Sequence, residues 1–239
     1  MFAPHTAQTN LVNTLGCEIV AGIYPEGAAL PKEAAMLGRF GVSRTALREA
    51  YSKLMAKGLV EARPKVGTSI LPRANWNMLD RDVLAWHLKT KPAEELATDL
   101  YTLRRMIEPS AAELAASSRT EDDLTKITTA LAAMKANATD EAALVEADFS
   151  FHVAILNATH NPFINAFSSL IRAAMLSVFE MSWRGAEVIK DTRLQQHELV
   201  ADAIRDGQPA VARERMQELL DESIKDARAV CDTEARNPR

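Results

Sequence analysis

The sequence predicts a mainly α-helical chain in two parts, an N-terminal winged helix-turn-helix and a C-terminal all-helical bundle of about six or seven helices. Three observations predict it. Residues Leu30 to Ala50 read as two short helices around a glycine-containing turn. Two β-prone runs flanking a basic turn follow directly. From Ala93 onward, apolar residues recur at helical spacing with no convincing strand.

The second short helix opens at Gly41-Val42-Ser43-Arg44-Thr45. Ser43 suits its N-cap, because a hydroxyl there accepts from an otherwise unpaired amide, and Val42 and Leu47 supply apolar anchors on either side. Arg44 and Arg48 are four apart and share a face that fits a major groove, where each guanidinium pairs with a guanine edge or clamps a phosphate. Thr45 lies between them. The following runs, Leu59-Val60-Glu61-Ala62-Arg63 and Gly67-Thr68-Ser69-Ile70-Leu71, form a wing with Lys65 and Gly67 at its turn. Two exposed arginines alone are common on small helical domains; helix, turn, helix and basic hairpin in this order point to DNA.

Charge divides the chain in the same place. Residues 1 to 73 carry nine Lys or Arg against five Glu and no Asp, a net +4, which leaves −8 for the rest of a chain whose total is −4. The basic part holds the motif, as attraction to phosphates requires. Two cysteines, Cys17 and Cys231, lie at opposite ends, which excludes a disulfide framework or a cysteine-rich zinc site. No apolar run approaches the roughly 20 residues that cross a bilayer, and no signal-peptide pattern opens the chain, so the expected location is the cytoplasm with no membrane partner.

The DNA-binding part is assigned to residues 1 to 73 and a connector to residues 74 to 92, with a short helix around Asp80 to Leu88. Trp76, Leu84 and Trp86 mark this connector as packed rather than free, and His87 reads as a packing residue. The helical domain covers residues 93 to 229 and a tail residues 230 to 239. Its first helices follow Leu96, Leu100, Leu103, Ile107, Ala111 and Leu114, then Leu124, Ile127, Leu131 and Met134, then Leu144, Phe151 and Ile155. Further helices are expected over Asn161 to Trp183, Val188 to Arg205 and Pro209 to Arg228, with Asp206-Gly207 closing the second of these.

Chemistry in the bundle concentrates at Asp148 and His152, four apart on one face with apolar neighbours, and at His197, at helical spacing with Leu194, Val200 and Ile204. Two readings stand side by side. Either the three hold one divalent cation, as donors from facing helices do, or Asp148 and His152 are a buried pair and His197 a separate core histidine. Arg104, beside the stripe of Leu100, Leu103 and Ile107, likewise meets either an anionic ligand or a buried Asp or Glu.

These residues resemble a known family. L-P-K-E-A, G-V-S-R-T-A-L-R-E-A, L-M-A-K-G-L-V and K-V-G-T-S-I are similar to the DNA-binding domain of GntR-family bacterial transcription regulators over residues 9 to 72. Ala34 departs from the pattern, since many members carry an arginine there. R-R-M-I-E-P, D-F-S-F-H, N-A-T-H-N-P and H-E-L-V-A-D-A-I-R-D-G resemble the effector-binding FCD domain of the FadR subgroup over residues 93 to 228. That resemblance implies a metal at Asp148, His152 and His197, with zinc, nickel or manganese as the ion. Many members add a histidine where this chain has Leu219, so either three protein ligands suffice or the site is lost.

The resemblance also implies Arg104, Asn161 and Trp183 as effector-binding residues. Asn161-Pro162 reads equally as a helix-starting turn and Trp183 as core. Asn75-Trp76-Asn77 through Trp86, and Val178 through Gly185, resemble members that regulate D-galactonate catabolism. They imply a sugar-acid effector, D-galactonate or a related aldonate or keto-deoxy sugar acid. The expected protein is a homodimeric repressor on a pseudo-palindromic operator of double-stranded DNA, and not an enzyme. Two rivals remain at this point: a regulator that senses the metal itself, and a metal-dependent enzyme with a two-histidine, one-carboxylate site.

Overall fold

The computed structural model describes residues 4–63, 67–182 and 187–236. The chain separates into two units, Met1–Pro92 and Ala93–Arg239.

In the first unit, α1 (Pro4–Val20) precedes the helix pair α2 (Glu33–Phe40) and α3 (Arg44–Ala56). α2 ends where Gly41 takes a left-handed φ of 63° and returns its N–H to Leu37 O. Ser43 then caps α3, its Oγ accepting from Ala46 N at 3.2 Å. Strands β1 (Val60–Arg63) and β2 (Gly67–Ile70) pair antiparallel, with Val60 opposite Ile70 and Arg63 opposite Gly67. Ala29 adds a bridge to Ser69 that the sequence pattern does not announce. Leu11, Leu15 and Ile19 of α1, one turn apart, meet Leu47 and Leu54 of α3 and Ile70 of the wing in one core. Burying each such side chain contributes about 1.5–3 kcal/mol.

Residues 74 to 92 pack within this unit. Asp80 caps α4 (Arg81–Thr90), its carboxylate accepting from Asp82 N and Val83 N. The Trp86 ring lies on α1 over Gly16, where a Cβ would fall 2.4 Å from the ring, and its Nε1 donates to Asn13 Oδ1 at 3.2 Å. His87 is buried and its Nδ1 donates to Val83 O at 2.8 Å, in keeping with a packing role. Lys57, at the end of α3, ties that helix to α4: its Nζ lies 2.7 Å from both Asp80 Oδ1 and Asp82 Oδ2. The next residue must be glycine. Gly58 has φ 76°, and a Cβ would sit 2.2 Å from Asn75 O.

The second unit is helical throughout its described residues: α5 (Ala93–Ser118), α6 (Glu121–Ala136), α7 (Glu141–Asn157), α8 (Pro162–Asn165), α9 (Ser168–Ser182), α10 (Glu187–Arg205) and α11 (Pro209–Arg236). The single helix expected from Asn161 to Trp183 is two. Asn161 caps a four-residue α8, and the ladder tightens where Phe167 N donates to Ile164 O, so the chain turns before α9. Gly207 closes α10 as expected, with φ 63° and its N–H on Ile204 O. Ile127, Phe151, Ile155, Val200, Ile204 and Met216 form the centre of the core.

The buried face of α5 is rotated from the predicted stripe. It runs through Leu100, Arg104, Glu108, Ala111 and Ala115, while Leu103 and Ile107 are only half-buried and Leu114 is exposed. Two charged side chains therefore occupy core positions. Pro109 follows them inside the helix and lacks the N–H that the Arg105 carbonyl would otherwise receive. Among the described residues, no helix is long and apolar enough to cross a membrane.

Candidate functional site

The first unit presents Ser43, Arg44, Thr45 and Arg48 on the surface at the start of α3, with Gly67 exposed at the start of β2 with φ 103°. Lys65 lies outside the described residues. Arg44 pairs with Glu33, Nε to Oε1 3.3 Å, and both side chains are exposed. Such a surface pair is worth about 0–1 kcal/mol and yields readily to a phosphate or base edge.

In the second unit, α7 supplies Asp148 and His152 one turn apart, and α10 brings His197 against them. One donor atom from each lies within 4.8 Å of the others. Asp148 Oδ1 is 2.9 Å from His197 Nε2 and 3.3 Å from His152 Nε2. Phe151 sets its ring edge-to-face against both imidazoles, 5.7 Å from His152 and 5.0 Å from His197.

The outer nitrogens decide what the inner ones carry. His197 Nδ1 lies 2.7 Å from Arg193 O, an acceptor only, so Nδ1 carries a proton, while Nε2 faces Asp148 Oδ1 at hydrogen-bond distance, 2.9 Å. His152 Nδ1 lies 2.5 Å from Glu108 Oε2, at an angle outside hydrogen-bond geometry, yet no lone pair can face a carboxylate so closely. Two imidazole Nε2 atoms thus converge on one carboxylate oxygen. Protons or a cation hold such a cluster together, and a divalent metal fits the donor set.

Glu108, which sequence reasoning passed over as a site residue, also receives Arg104: Nε to Oε1 2.5 Å and Nη2 to Oε2 3.4 Å. Arg104, Glu108 and His152 are each no more than 3% exposed. Burial opposes the Glu108 charge, but Arg104 and then His152 hold its carboxyl down at about 2. Burial likewise opposes ionisation of Asp148 and is outweighed by His197 and His152, which keep it well below the usual carboxylate range. For His152, burial disfavours the charged ring and Glu108 more than restores it, a net upward shift. The signal available in the sequence was the i, i+4 spacing of Arg104 and Glu108.

Arg104 therefore has the buried acid that was one of its two expected partners. Asn161 is exposed and its side-chain oxygen accepts from Phe163 N and Ile164 N, which makes it a helix cap. Trp183 lies outside the described residues. Leu219 is buried in the apolar core beside Met216 and Leu220, and among the described residues the cluster has three protein donors. A separate groove between α6 and α7 is lined mainly by threonine, alanine and apolar side chains, and none of these donors reaches it.

Two protein families match the chain: bacterial regulatory proteins, gntR family, over residues 8–70, and the FCD domain over residues 99–222. The galactonate operon transcriptional repressor of Escherichia coli is 40% identical over 195 residues, covering 82% of this chain and 85% of the relative. The chain belongs to the gntR family of bacterial regulatory proteins. The transcriptional regulator LutR of Bacillus subtilis is 34% identical over 200 residues, 82% of this chain and 89% of LutR. The solved structure of Streptococcus agalactiae GntR is 25% identical with a TM-score of 0.53, covering 93% of this chain and 99% of that one. The protein is a DNA-binding transcription regulator of the GntR type with an FCD domain; its families and relatives are regulators, not enzymes.

Proposed function

We propose that this GntR-family regulator is a homodimeric repressor whose operator affinity is lowered by a sugar acid, D-galactonate or a close aldonate, bound at a divalent metal on Asp148, His152 and His197. The observation that carries the reading is the convergence of two imidazole Nε2 atoms on Asp148 Oδ1, each ring having an acceptor beside its Nδ1. Likeness to the galactonate operon repressor supports the ligand class. Zinc, nickel or manganese suits the donors, and such an ion would supply open coordination positions for a carboxylate and an adjacent hydroxyl.

The chain's own residues do the remaining work. Asp148 supplies the anionic donor, and Phe151 holds both imidazole planes. Arg104 has five N–H donors, of which Glu108 engages two groups, leaving others for an effector carboxylate. In the head, Arg44 and Arg48 read base edges in each half-site of a pseudo-palindrome, while Ser43, Thr45 and the wing at Lys65 and Gly67 meet phosphates. A coupling of about 1–3 kcal/mol between effector and operator changes affinity roughly 5- to 150-fold.

A thermal-shift screen of aldonates on metal-loaded and chelator-treated protein tests the reading. D-galactonate is expected to raise the melting temperature of the metal-loaded form alone. Stabilisation by metal with no response to any sugar acid, joined to an operator affinity that follows the metal, would replace it with a metal-sensing regulator.

A further inference from the structure

We propose that Glu108 is a positioning residue of the metal centre: clamped by Arg104, it fixes His152 in the tautomer that turns the Nε2 lone pair toward Asp148. The role as a metal-centre residue rests on the proposed function above; the tautomer does not.

His197 receives its orientation from a backbone carbonyl, Arg193 O, which any residue at that position would supply. His152 has no such partner: the acceptor at its Nδ1 is the Glu108 side chain, one helix away on α5. Both groups are buried, so water does not substitute for either. Glu108 in turn is fixed by the planar guanidinium of Arg104, whose own ring neighbour is Tyr101, 4.8 Å from the guanidinium carbon to the ring centre. The chain Arg104, Glu108, His152, Asp148 thus alternates cation, anion, imidazole and anion through the core.

A carboxylate is required at the second place for a chemical reason. It has two acceptor oxygens, one for the guanidinium and one for His152 Nδ1. Glutamine has a single oxygen. If that oxygen faces Arg104, the amide NH2 faces Nδ1, the ring proton moves to Nε2 and a hydrogen occupies the ligand position. If it faces His152, two donors oppose each other at Arg104.

The test uses full-length protein with 15N-labelled histidine. In metal-free wild type, at a pH where the His152 ring is neutral, the imidazole spectrum is expected to show His152 as Nδ1–H. Glu108→Gln is expected to populate Nε2–H at His152 with the His197 signal unchanged, and to weaken zinc or manganese binding, measured by chelator competition, about 10- to 100-fold. Glu108→Asp, which keeps two anionic oxygens, is expected to retain the Nδ1–H form and serves where the glutamine variant folds poorly. A wild-type tautomer with undiminished metal affinity in Glu108→Gln overturns the inference. A tautomer change in Glu108→Gln, with no metal bound by wild type, sustains the positioning role and rejects the metal reading instead.

Discussion

Replacing Arg104 by alanine strands a buried carboxylate. In wild type the guanidinium meets Glu108 through Nε at 2.5 Å and Nη2 at 3.4 Å, with both side chains no more than 3% exposed. Removing one member of such a pair costs about 3–5 kcal/mol, because the survivor's charge remains in the core. A domain holds only about 5–15 kcal/mol in total, so the variant is expected to fold at room temperature but to melt roughly 6–20 °C lower. His152 still faces Glu108 and keeps the loss from being larger. The double variant Arg104→Met with Glu108→Leu removes both charges and is expected to be more stable than Arg104→Ala, since no buried carboxylate is left without its guanidinium, although His152 Nδ1 then loses its acceptor. Thermal and urea unfolding, followed by circular dichroism, read these differences. An Arg104→Ala protein within about 1 kcal/mol of wild type would show that the pair is not desolvated as described. Because the single variant is destabilised, its effector response is to be read beside Arg104→Lys, which keeps the charge and loses the planar fork.

Other perturbations test other links. Arg44→Ala or Arg48→Ala is expected to cost about 1–3 kcal/mol on the specific operator and to relax sequence preference, measured by anisotropy on specific and scrambled duplexes; unchanged discrimination in both would remove α3 as the reader. Gly58→Ala combines a left-handed φ with a Cβ 2.2 Å from Asn75 O, so it should destabilise the head by about 1–3 kcal/mol or more, read by denaturation. The Glu108 carboxyl is held at about 2, below its ordinary 4.5, so its contribution to stability is full above pH 4.5 and is lost as pH falls toward 2. Over that window, Glu108→Gln should show a weaker pH dependence of unfolding than wild type.

Local chemistry made the head legible in sequence. The Ser43 cap, the Gly41 stop and the wing follow from side-chain types and backbone needs that act within a few residues. The same holds for the α4 start at Asp80 and the closure of α10 at Gly207. What escaped depends on tertiary packing. On α5, apolar periodicity pointed to Leu103 and Ile107, whereas the core takes Arg104 and Glu108, because a buried ion pair is invisible to a hydrophobic pattern. The break after Asn165 carries no glycine or proline to announce it. Asp148, His152 and His197 were found because helical spacing puts each on an inward face; their tautomers required knowing what lies behind each ring.

The most direct test of the central claim is operator affinity titrated with D-galactonate in metal-loaded, chelator-treated and His197→Ala protein. The proposed coupling predicts at least about fivefold weaker operator binding with the sugar acid in the metal-loaded wild type, and no change in the other two. An operator affinity that D-galactonate leaves unchanged in all three, or changes equally in all three, would contradict a sugar-acid signal read through Asp148, His152 and His197.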